Sequence, residues 1–292
     1  MVYRPNSLLV LIIRGQIKLE FPKTIKKIQP SIVQIRAEAS ETIRRQIIIP
    51  IMKEVLGTGF FVNSEGYVIT AKHVWDYGQQ LLQRTQADIK QILVGISIEN
   101  SEQLRGNFSL VGCDLVDQDV RHDIALLKLK KNPFTDEISS FNIGGKKAPL
   151  LYGVPRLNAI RPIDGTSIGI SGYPLNETVL VTNSGVVASS WSTDSINVPV
   201  GTSGFTIPNI SDVYLGDIEV NPGDSGAPTC LLEDASIIGL CVASKPAPVR
   251  NQNGNIVVIN TQQLFFSSGL TIIVPSYYII KILEKNNVDF IS

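Results

Sequence analysis

Short runs of β-branched and aromatic residues, some alternating with polar positions and some wholly apolar, recur along the chain between clusters of glycine, proline, asparagine and aspartate. Ser31-Ile32-Val33-Gln34-Ile35-Arg36, Gly59-Phe60-Phe61-Val62, Tyr67-Val68-Ile69-Thr70, Ile124-Ala125-Leu126-Leu127 and Ile237-Ile238-Gly239-Leu240-Cys241-Val242 all have strand length. The pattern predicts an all-β chain of the barrel or sandwich class. Ser7 to Ile13 and Gln16 to Phe21, hinged at Arg14-Gly15, predict a β-hairpin within an N-terminal extension. Residues 37–54, with Arg44-Arg45 and Ile47-Ile48-Ile49-Pro50, read as an insertion after the first barrel strand, and residues 192–209, rich in Ser, Thr, Gly and Pro, as a second. One segment has a different period: Pro275 to Lys285 combines helix-start chemistry with apolar residues at helical spacing, which predicts a terminal helix over 276–286.

The densest chemical signal is Asn221-Pro222-Gly223-Asp224-Ser225-Gly226-Ala227-Pro228. Two glycines flank Ser225 in a bend that can turn sharply and aim successive N–H groups into one pocket, as an oxyanion hole requires. A serine hydroxyl needs a base within hydrogen-bond reach, itself oriented by a third group. The chain has only two histidines. His73 follows an apolar strand and a small-residue turn, and His122 stands beside Asp123 at the head of a strand. His73, Asp123 and Ser225 therefore occur in the histidine-first order of one triad lineage. Singly, each has a bland competitor: a turn serine, a core histidine, a strand-start cap. The shared order is what those readings leave unexplained. His122 is expected to be structural, because neighbours on a strand face opposite ways.

Four blocks resemble the chymotrypsin-fold, trypsin-like serine peptidases, and among them the bacterial HtrA-like branch: Gly57-Thr58-Gly59-Phe60 through His73, His122-Asp123 through Leu129, Asp217 through Pro228, and Ile272-Ile273-Val274-Pro275-Ser276. The resemblance implies two six-stranded antiparallel β-barrels with a C-terminal helix. The N-terminal extension would occupy 1–30, a first barrel with His73 and Asp123 would occupy 31–140, and a second with Ser225 would occupy 141–292. It implies a serine endopeptidase with Ser225 as nucleophile, His73 as base and then acid, Asp123 as orienter, and the Gly223 and Ser225 amides as oxyanion hole. A regulatory protease acting on a dedicated protein partner fits that branch; the alternative is a catalytically silent binding module. Glu219 falls where relatives place the floor of the substrate pocket, with Val242 and Ala243 on its wall. A β-strand alternation that turns Glu219 outward, with Ile218 and Val220 facing the core, competes with that role. Asp224 is expected to support the serine turn through a basic side chain or backbone donors, with Ile32-Val33 a strand and not a new terminus released by cleavage. Several positions depart from the family pattern. Val74 and Asn221 stand where digestive relatives have cysteines, Ala227 replaces a glycine, and Val242 replaces a residue whose hydroxyl contacts the triad acid. The chain is also expected to stop short of a PDZ module.

Composition narrows the partners. Lys plus Arg and Asp plus Glu number 26 each, so the formal net charge is zero, and hydrophobic residues make up 43% of 292. Nothing draws such a chain to nucleic acid, and no apolar run reaches membrane-spanning length. A protein or peptide substrate is the expected partner, with the oligomeric state left open. Three cysteines form no disulfide framework, and their spacing with two histidines suggests no metal site, so neither metal nor cofactor is expected. Packed thiols and the lack of a convincing signal peptide point to a reducing, cytoplasmic setting.

Overall fold

Along β1 (Ile32–Ile43), Ile35, Ala37 and Ala39 are fully buried while Arg36 and Glu38 keep side-chain exposures of 19% and 13%, the period-two pattern of a strand with one packed face. The computed structural model describes residues 21–43, 47–98, 107–135, 140–143, 146–149, 152–192, 196–200, 205–210, 212–259 and 262–292. With β2 (Ile47–Phe61), β3 (Tyr67–Ala71), β4 (Ile89–Ser97), β5 (Phe108–Asp119) and β6 (Ile124–Leu129), β1 closes an antiparallel barrel in the order β1-β2-β3-β6-β5-β4. Phe60, Phe61, Val68, Ile69 and Leu126, all fully buried, fill it and its surroundings.

A two-stranded piece, β7 (Ser140–Ile143) with β8 (Lys146–Pro149), precedes the second barrel. That barrel is built from β9 (Ser167–Gly172) and β10 (Val181–Ser192), then β13 (Val213–Asp217), β14 (Pro228–Leu231), β15 (Ile237–Pro248) and β18 (Phe265–Pro275). It closes in the order β10-β13-β18-β15-β14-β9. Two small ribbons leave it: β11 (Ile196–Val200) with β12 (Phe205–Ile210), and β16 (Val258–Ile259) with β17 (Gln262–Gln263). The chain is thus all-β with two six-stranded barrels, and closure removes the open edges that so many short strands would otherwise present.

Several expectations are corrected. The first barrel strand does not stop at Arg36: β1 and β2 stay paired from Ile32↔Phe60 to Ile43↔Ile47, so most of 37–54 is strand. Bulges between Ile35 and Arg36 and between Ala39 and Ser40 let it bend. The second supposed insertion contains the β11–β12 ribbon. The N-terminal hairpin falls mostly outside the described residues, but Phe21, assigned to its second strand, begins a helix, α1, over residues 21–28. A further helix, α2 (Lys72–Arg84), replaces the turn expected at His73; it buries Val74, Gly78 and Leu82, one face at i, i+4 and i+8. His122 and Asp123 lie in a turn ahead of β6, not on the strand itself.

The terminal helix α3 (Ser276–Lys285) ends within a residue of expectation and fastens both barrels. Ser276 Oγ donates to Ile237 O at 2.8 Å, and the Tyr278 hydroxyl donates to Asp212 Oδ2 at 2.6 Å. Toward the first barrel, the Tyr278 ring stacks on His122 with centroids 3.5 Å apart, and Lys285 Nζ meets Asp117 at 2.7 Å. His122, itself buried, also contacts Asp119 Oδ2 through Nδ1 at 2.6 Å, so its role here is structural. Cys113, Cys230 and Cys241 are buried free thiols. Among the described residues no helix is long and apolar enough to cross a membrane. Tyr278→Ala removes both the stack and the hydrogen bond to a carboxylate; urea unfolding should report a loss of about 2–3 kcal/mol with an unchanged slope.

Candidate active site

β3 ends at Ala71 and delivers His73 as the second residue of α2, where main-chain N–H groups have no partner within the helix. Asp123 supplies those partners. Its carbonyl accepts from Lys72 N–H at 2.9 Å, and its Oδ1 accepts from His73 N–H at 2.9 Å. The second carboxylate oxygen meets His73 Nδ1 at 2.6 Å. One carboxylate, 1% exposed, therefore grips both the backbone and the ring of the same histidine. With Nδ1–H donated to Asp123, the Nε2 lone pair is left to act as a base. Asp123 has φ +56, a left-handed conformation that aspartate tolerates better than most residues. Asp119 holds the turn: its Oδ1 accepts from the N–H groups of Arg121 and His122 at 2.9 and 3.1 Å. The hydroxyl missing at Val242 is thus not needed to satisfy Asp123.

Ser225 arrives from the other barrel, in the bend between Val220 and β14. Its carbonyl accepts from Thr58 N–H at 2.9 Å, and a Cβ at Gly57 would lie 2.8 Å from both that oxygen and Val74 Cγ2. Gly57 therefore allows the serine block to press onto the chain beside His73. Gly226 is still more constrained, since at φ +89 an added Cβ would stand 2.0 Å from Thr58 O and 2.4 Å from Thr70 Oγ1. The Ser225 hydroxyl donates to Val242 O at 3.1 Å and makes no hydrogen bond with His73. Hydrogen bonds between such groups are commonly long or absent in sites without substrate.

The carbonyls from Asn221 through Ser225 are occupied. Gly223 O accepts from Thr58 Oγ1 at 2.8 Å, and Asp224 O accepts from Ala227 N–H at 2.9 Å. Among the described residues nothing accepts from the N–H of Gly223 or of Ser225. Thr58 was not anticipated, although its setting in Gly57-Thr58-Gly59 marks a place where the backbone is closely approached. It also accepts from Tyr173 N–H at 2.9 Å.

Asp224 is 3% exposed, and its Oδ2 accepts from Asn221 N–H at 2.9 Å, so a backbone donor meets it. Among the described residues no lysine or arginine pairs with it. Burial pushes its carboxyl up from 3.8 to about 6, against a smaller lowering by the Asn221 N–H. Ile32 is a buried strand residue whose N–H is bonded to Gln29 O, as expected of continuous chain. Val242 is buried and Ala243 half-buried on β15, whose pairing with β14 ends at Leu240. Just past the end of β13, Glu219 is exposed while Ile218 and Val220 are buried, the alternation expected if Glu219 points outward. No three His, Cys, Asp or Glu among the described residues gather as metal ligands would.

Residues 57–240 match the family model described as a trypsin-like peptidase domain. That is more than half of the chain, which belongs to this family. A Pseudomonas putida (strain W619) protein described as a probable periplasmic serine endoprotease, DegP-like, is 28% identical over 218 residues. The match covers 73% of this chain and 30% of that protein, so the chain spans about a third of its relative's length.

The sign of the Asp224 effect follows from its raised value. The native state favours the protonated carboxyl, so stability falls as pH rises from 3.8 through about 6, by about 3 kcal/mol in all. Asp224→Asn keeps an acceptor for Asn221 and removes the charge. Urea unfolding at pH 7.5 should show the variant to be the more stable, with the advantage gone at pH 4.

Proposed function

We propose that the protein is a serine endopeptidase that works through an acyl-enzyme. The observation that carries this reading is the grip of one buried carboxylate on the ring and backbone of His73, with the Ser225 turn fastened through Thr58 to the barrel that carries that histidine and the N–H groups of Gly223 and Ser225 left without acceptors among the described residues. Ser225 Oγ turns from Val242 O toward His73 Nε2, gives up its proton and attacks the substrate carbonyl carbon. Negative charge develops on the carbonyl oxygen, and the N–H groups of Gly223 and Ser225 receive it. Asp123 keeps the ring in the required tautomer and stabilises the imidazolium. His73 then protonates the leaving amine, the peptide bond breaks, and water repeats the sequence to release the acyl group.

Cys241 is still bonded to Ala227 O and Gly226 N–H, and the edge of β15 beyond it suits a substrate bound as an added antiparallel strand, with Val242 and Ala243 against it. Glu219, being exposed, offers an incoming basic side chain no more than a screened contact, worth under about 1 kcal/mol. A regulatory protease acting on one protein partner is the role we assign within the HtrA-like branch.

Ser225→Ala should abolish peptide hydrolysis and labelling by a fluorophosphonate probe while leaving the urea midpoint within experimental error. Asp123→Asn should lower kcat by about 10⁴-fold through the wrong tautomer. Wild-type protein that is folded yet neither labels nor cleaves would establish the silent binding module instead.

A further inference from the structure

Residues 173–177 lie directly on the serine turn, and the mechanism above makes no use of them. Leu175 and Asn176 are successive left-handed residues, with φ +54 and +61. For a leucine this conformation is strained and persists only where other contacts over-determine it. The Leu175 side chain is 62% exposed, so burial does not compensate. What the conformation achieves is the direction of one main-chain group: Leu175 N–H donates to Pro222 O at 2.7 Å. The bend is held from the first barrel at both ends. Tyr173 N–H donates to Thr58 Oγ1, its ring meets Phe108 edge-on at 5.4 Å, and Glu177 O accepts from Gln34 Nε2 at 3.2 Å.

Pro222 O and Gly223 N–H belong to the same peptide unit. In a planar trans peptide the two point in opposite directions, so whatever captures the oxygen also aims the N–H. Contact is close enough to make this a direct effect: a Cβ at Gly223 would stand 2.5 Å from Tyr173 O and 2.9 Å from Pro174 Cα. Gly223 itself, at φ +104, supplies little resistance to rotation of the unit. We infer that Leu175 is a positioning residue whose strained main-chain N–H latches the Pro222–Gly223 peptide and so holds the Gly223 oxyanion donor in its working direction. This rests on the serine-peptidase reading given above and adds a control point to it, since the latch is set by the joint between the barrels.

The test compares Leu175→Val, whose β-branched side chain opposes the left-handed region, with Leu175→Asn, whose side chain tolerates it. In folded protein Leu175→Val should lower kcat by about tenfold or more with little change in KM, as loss of a transition-state donor does, and Leu175→Asn should be impaired much less. Equal kcat in the two variants overturns the latch. Hydrogen exchange on the wild type gives an independent reading should Leu175→Val fail to fold: the Leu175 amide should be protected in spite of its exposed side chain, and exchange at the rate of an open loop overturns the proposal. Fluorophosphonate labelling of the wild type separates the two levels. A wild type that does not label removes the peptidase reading itself, whereas a labelling wild type with an unaffected Leu175→Val removes the latch alone.

Discussion

Thr58 is the residue on which the geometry of the site turns. Its N–H holds Ser225 O, its hydroxyl holds Gly223 O and receives Tyr173 N–H, and its carbonyl receives the Thr70 hydroxyl at 2.6 Å. Every polar group of one buried side chain and its peptide is committed, so the barrel that carries His73 and the barrel that carries Ser225 meet at a fixed joint. A buried hydroxyl left unmatched at such a place would cost about 1–3 kcal/mol. The joint therefore tolerates no relative sliding without losing several hydrogen bonds together. Gly57 and Gly226 serve the same purpose by absence, since neither position has room for a side chain between the barrels.

The two barrels contribute differently to the chemistry. The first barrel presents a finished unit, in which a helix start, a left-handed aspartate and an aspartate-capped turn lock the imidazole. The second presents a turn in which the carbonyls of Asn221 through Ser225 are engaged, while among the described residues nothing accepts from the N–H groups of Gly223 and Ser225. In the proposed mechanism those two groups would receive the charge that appears on the substrate oxygen, and the Ser225 hydroxyl, resting on Val242 O, would move toward His73.

Much of this was legible from the sequence. Residue type and order were enough to bring out His73, Asp123 and Ser225, because few side chains can perform those roles and only two histidines were available. Strand periodicity located β1, β2, β3, β6 and β15, fewer than half of the barrel strands, together with the terminal helix. The length of the β1–β2 pairing was not legible because Pro50 looks like an interruption, whereas the bulge beside its partner Ser40 accommodates it. Helix α2 was missed although Val74, Gly78 and Leu82 carry its period, since a glycine in the middle weakens the signal. The role of Thr58 could not be read locally: its partner Gly223 is 165 residues away along the chain. At Glu219 the exposure follows the simple alternation with Ile218 and Val220.

The three thiols carry a consequence of a different kind. Burial pushes Cys113 and Cys230 up to about 12 and Cys241 well above its ordinary value, so almost no thiolate exists near neutrality. Thiolate is the species that attacks disulfides and reacts with oxidants. While the chain stays folded, the three buried thiols therefore offer little to oxidants or to disulfide exchange.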